Sequence, residues 1–127
     1  MTKTSISTNL APVPVASYSQ AVRRGNQLFL AGQGGFDAAT DELVGPGVRE
    51  QTRQALQNLK HVVEAAGGTM DDVVTVRVFI SEHAEFAGMN EVYGEFFSDP
   101  LPARTTVSAG LGPGMKVEID GVAILGD

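Results

Sequence analysis

The chain has 127 residues, enough for one hydrophobic core with no linker. With 43% hydrophobic and 19% charged residues it groups with ordinary folded proteins, and the absence of cysteine excludes disulfides, thiolate metal sites and a cysteine nucleophile. A net charge of −6 and an isoelectric point near 4.8 repel polyanions, so nucleic-acid binding and RNA cutting start at a disadvantage.

Residues 1–6 lack the apolar run of a signal peptide, and no stretch approaches the roughly 20 apolar residues of a membrane span. No membrane partner and a cytoplasmic address are expected. Residues 17–23 and 27–32 read as two strands around a turn at Arg24-Gly25-Asn26, since Gly and Asn supply the positive φ of tight hairpins. A turn centred on Gly25 sets Tyr18 opposite Gly32. Residues 33–47, rich in Gly and acidic side chains, have no apolar period and read as a loop. Gly32-Gln33-Gly34-Gly35 lacks the spacing of a phosphate-cradling loop.

Over residues 48–66, Val48, Ala55, Leu56, Leu59, Val62, Val63 and Ala66 recur at three and four, predicting an amphipathic helix stopped by Gly67-Gly68. Residues 73–80, Val-Val-Thr-Val-Arg-Val-Phe-Ile, predict a strand covered on both faces. Phe86, Met89, Tyr93, Phe96 and Phe97 mark a second helix, capped by Ser81 and stopped near Asp99-Pro100. Strands over 103–109 and 115–125 close the chain, giving an α+β domain with two helices on one face of a mixed sheet. His61 and His83 belong to no metal-binding spacing, and no serine sits in a nucleophile elbow.

Read as a hairpin centred on Leu111, the last two strands set Arg104 directly opposite Glu118, with Cβ atoms roughly 4.5 to 5.5 Å apart. The same register pairs Ala103 with Ile119, Thr105 with Val117 and Val107 with Met115 on an apolar face. Arg104, Thr106, Lys116, Glu118 and Asp120 then share the polar face. On geometry alone the favoured reading is an exposed ion pair, worth about 0 to 1 kcal/mol.

Pro102-Ala103-Arg104-Thr105-Thr106-Val107 followed by Lys116-Val117-Glu118-Ile119-Asp120 resembles the C-terminal signature of the RidA (YjgF) family of enamine and imine deaminases. Ala16-Ser17-Tyr18-Ser19-Gln20-Ala21, Leu30-Ala31-Gly32-Gln33, the run 51–59 and the run 89–97 resemble further family segments in the same order. The resemblance covers nearly the whole chain. It implies one chorismate-mutase-like domain over 1–127, mostly antiparallel, that assembles as a homotrimer with sites between adjacent subunits. It also implies hydrolysis of 2-enamines and 2-imines, such as 2-aminoacrylate, to 2-keto acids without metal or cofactor. Residue by residue, Arg104 would hold the substrate carboxylate, Glu118 would activate water, and Tyr18, Gly32 and Asn90 would line the pocket.

Ala31 stands where members often carry serine, Thr106 where well-known deaminases carry cysteine, and Asp120 where glutamate is usual. The first two would alter the pocket wall. Competing readings are a trimer that binds a carboxylate metabolite without turnover, a chaperone and a ribonuclease; a mere carboxylate binder has no evident need of Glu118.

Overall fold

In a computed structural model of the chain, residues 2–126 are described. The helix over 48–66 is present almost as read: α1 runs Val48–Ala65, and its buried stripe includes Ala55, Leu56, Leu59, Val62 and Val63. Gly67, at φ 89°, ends it in a Schellman turn, its N–H donating to Glu64 and that of Gly68 to Val63. At the other end the Glu50 carboxylate accepts the Gly47 N–H at 2.7 Å.

Six strands form one sheet: β1 Thr4–Ile6, β2 Ala21–Arg24, β3 Gln27–Gly34, β4 Val73–Ile80, β5 Ala103–Ser108 and β6 Val117–Ile124. Their order is β1-β2-β3-β6-β4-β5, antiparallel except for the parallel pair β4 and β5. Parallel neighbours need a crossover, and α2, Phe86–Tyr93, lies in it.

Both helices cover one face. Leu56, Val62 and Val63 of α1 and Met89 of α2 are buried with Leu28, Val76, Val78, Ile80, Val117 and Ile119 in one core. Full burial of each such side chain is worth about 1.5 to 3 kcal/mol. The other face carries Phe29, Arg77, Phe79, Thr105, Val107, Glu118, Asp120 and Val122, by strand alternation and register. No helix lies over it, and Phe29 and Val107 are 46% and 45% exposed. So β4 is not covered on both sides in the single chain: Val76, Val78 and Ile80 are buried, whereas Arg77 is exposed.

Several boundaries differ from the sequence reading. The first hairpin pairs Arg24 with Gln27, centring the turn between Gly25 and Asn26, and β2 begins at Ala21, so Tyr18 is not opposite Gly32 and lies outside the strand. Strand β1 carries no alternating signal and was not expected. A single 3-10 turn, His83–Glu85, precedes α2, which starts at Phe86 and ends at Tyr93. Ser81 therefore caps nothing, and Phe96 and Phe97 lie past the helix, packed on the core from the following turn.

The largest correction concerns the C-terminal pair. Strands β5 and β6 do not touch: β4 lies between them, Arg104 opposing Val76 and Glu118 opposing Phe79. The eight residues between Ser108 and Val117 step over a strand instead of turning a hairpin. The expected pairs Ala103 with Ile119, Thr105 with Val117 and Val107 with Met115 are therefore absent. Arg104 and Thr106 share the helix-covered face with Val76 and Val78, while Glu118 and Asp120 point to the open one.

Candidate active site

The expected site residues fall into two groups. Two strand spacings and three residues separate Arg104 from Glu118, roughly 14 Å at Cα, and the sheet itself lies between their side chains. Within one chain they cannot hold one small molecule.

The first group surrounds a cavity of about 310 Å³ beside a bulge in β3, where the pairing with β6 shifts between Leu30 and Gln33. Glu118, Tyr18 and Gly32 line it, with Val13, Val15, Phe36 and Met115 as apolar walls. At Gly32 a Cβ would stand 2.6 Å from the Glu118 Oε2, so only glycine lets the carboxylate lie against the bulge. Ala31 is next to it, its N–H donating to the Gln20 carbonyl at 3.0 Å, but it does not line the cavity.

Buried amides hold the walls. Gln51 of α1 donates to the Gly45 and Gly114 carbonyls and accepts the Lys116 N–H at 2.7 Å, tying two loops together on either side of Met115. Asn58 donates to the carbonyls of Gly34 and Phe36. Gln20 donates to the carbonyls of Thr8, Ala11 and Pro12 and accepts the Thr8 N–H, fixing the segment that leads to Tyr18. A buried amide with its partners in place fixes one loop conformation, because any other arrangement strands polar atoms away from water.

The second group stands at the sheet edge. Arg104 donates through Nη1 to the Asn90 Oδ1 at 2.8 Å, and its guanidinium carbon lies 4.6 Å from the Tyr93 ring centre and 5.6 Å from that of Phe86. Asn90 and Tyr93, three apart on α2, share a helix face. Thr106 is two residues along β5 on the face of Arg104; its Oγ1 and the Tyr93 Oη are buried without a hydrogen-bond partner among the described residues. Burial pushes the Tyr93 phenol above its usual range, with the Arg104 charge pulling the other way.

Asp120 belongs to neither group. Arg77 holds it in a fork, Nε to Oδ1 at 2.9 Å and Nη2 to Oδ2 at 2.7 Å, which raises the already high guanidinium pKa. Lys116 precedes β6 and engages Gln51 through its backbone. The expected polar cluster of five is thus dispersed. Among the described residues no three His, Asp or Glu side chains are arranged to hold a metal ion.

A profile of the endoribonuclease L-PSP family, to which RidA (YjgF) proteins belong, matches residues 8–125. This chain is a member of that family. A 2-iminobutanoate/2-iminopropanoate deaminase of Dermatophagoides farinae is 46% identical over 121 residues, 94% of each chain. The enzyme of that name from Mus musculus is 38% identical over 122 residues, 95% of this chain and 90% of its own. Among solved structures, Escherichia coli TdcF with bound serine superposes with a TM-score of 0.90 at 34% identity, covering 97% of this chain and 99% of TdcF.

Sequence reading missed the amides Gln20, Gln51 and Asn58 and the aromatic pair Phe86 and Tyr93 around Arg104. Gln51 and Asn58 did leave a signal: both fall on the buried stripe of α1, where a polar side chain must find partners.

Proposed function

We propose that this RidA family chain is a cytoplasmic hydrolase that converts 2-imino acids, and the enamines that tautomerise to them, into 2-keto acids and ammonia. We further propose that Glu118 of one subunit and Arg104 of the next complete each site in a homotrimer. The carrying observation is the separation itself: a carboxylate in a stapled cavity and a cradled guanidinium, each without a charged counterpart among the described residues. Exposed Phe29 and Val107 on the helix-free sheet face support burial of that face by further copies.

In this reading the Arg104 fork grips the substrate carboxylate through charge-assisted hydrogen bonds, and the unpartnered Thr106 hydroxyl offers another polar contact. Glu118 takes a proton from water as its oxygen adds to the imine carbon. The nitrogen of the resulting tetrahedral adduct receives that proton; Glu118 then relays the adduct's hydroxyl proton to the same nitrogen, so that the C–N bond breaks and ammonia leaves as the carbonyl forms. One carboxylate serves both transfers. The serine seen in TdcF supports an amino-acid-sized ligand in this fold, and the D. farinae and mouse names support the imine. The charge of −6 weighs against RNA as substrate.

The test generates 2-aminoacrylate in situ with an amino-acid dehydratase and follows keto acid release. Release above the spontaneous rate is expected; a rate equal to it refutes the function. Light scattering should give about three times the 13.3 kDa chain mass, and a monomer at micromolar concentration refutes the shared site.

A further inference from the structure

Arg104 stands on an edge strand, where a long side chain has rotamer freedom to lose on binding. Three groups restrain it, and they are not equivalent. Asn90 is exposed and bonds only one nitrogen, and Phe86 is partly exposed and farther away at 5.6 Å. Tyr93 is 6% exposed, lies 4.6 Å from the guanidinium carbon, and has its own ring packed 4.7 Å from Phe97 at 38°. A ring held that way cannot swing aside when the arginine moves.

We propose that Tyr93 is a positioning residue: its ring is the fixed platform that sets the plane of the Arg104 guanidinium and so aims the remaining donors at the substrate carboxylate. The proposal rests on the reading above that Arg104 binds that group. Stacking on a ring face orients a planar fork without consuming its N–H donors, which a second carboxylate or amide would do. The Tyr93 hydroxyl is buried without a partner, so it is the ring, not the oxygen, that does this. With its phenol pushed upward by burial, Tyr93 stays neutral and does not compete with the substrate for the charge.

The experiment measures turnover of dehydratase-generated 2-aminoacrylate and calorimetric binding of 2-oxobutanoate. Tyr93→Leu is expected to raise KM and the 2-oxobutanoate Kd on the order of 2- to 30-fold, the range of a cation–π contact, with kcat within about twofold. Tyr93→Phe should match the unaltered protein. Because an ammonium has no plane to set, the Tyr93→Leu factor should shrink in an Arg104→Lys background. Unchanged binding in Tyr93→Leu overturns the proposal, as does equal damage from Tyr93→Phe or an identical factor in both backgrounds, which marks a purely structural ring. Tyr93→Met, read the same way, replaces the leucine variant if that fails to fold. An unaltered protein that turns over but binds no keto acid through Arg104 overturns this inference alone, and one that does neither overturns the function with it.

Discussion

Glu118 lies on a strand with a neighbour on each side, and its surroundings are backbone and loops tied by buried amides. Arg104 lies on the outermost strand, restrained by side chains of a single short helix. In the proposed function Glu118 moves protons, a task sensitive to small displacements, and it sits where the scaffold is tied on both sides. A group that must capture an anion needs access, and the edge supplies it. Under the proposed function, division of labour within the sheet mirrors division of labour in the reaction.

The largest effect should come from the interior half. Glu118→Gln is expected to lower kcat by about 100- to 10,000-fold while still binding 2-oxobutanoate; full turnover in a trimer of normal melting temperature makes the carboxylate structural. Arg104→Ala should cost about 2 to 5 kcal/mol of binding, read as lost affinity for the same keto acid. Mixing these two inactive variants gives a sharper result. With sites shared between subunits, co-assembly from equal amounts should restore about a quarter of the activity, since random neighbours pair an intact arginine with an intact glutamate that often. Mixed trimers that stay inactive place both groups of each site in one chain.

Smaller effects separate walls from contacts. Gln51→Leu leaves the Lys116 N–H without its partner and should lower stability by about 1 to 3 kcal/mol, seen in urea unfolding, with turnover falling as the cavity loops loosen. Thr106→Val keeps the shape and removes an oxygen that has no partner among the described residues, so melting should not fall. If that hydroxyl touches substrate, KM should still rise on the order of 2- to 10-fold.

How much of this was legible beforehand follows from the range of the interactions. Helix α1 was readable to within a residue because its period and its glycine stop are local. The type of each C-terminal strand was likewise local; Glu118, Tyr18 and Gly32 line one cavity, while Arg104, Asn90 and Thr106 lie together at the sheet edge. Strand neighbours are not local. Inserting β4 between β5 and β6 is decided by the whole sheet, and the alternating faces of both strands fit a hairpin equally well. The glycine-rich stretch 109–116 was the available warning, being long for a tight turn. Aromatic residues 86 and 93 read as core because a stripe shows burial, not which cation shares it.

The position of β6 has a consequence for how the chain is made. The last of the six described strands to leave the ribosome is one of the two central ones, bonded to β3 on one side and β4 on the other. Until residues 117–124 emerge, the growing chain holds two separate apolar fragments, each with an unsatisfied strand edge. Without residues 117–124 the seam on which both halves close is missing, so their loss should leave the sheet in two parts.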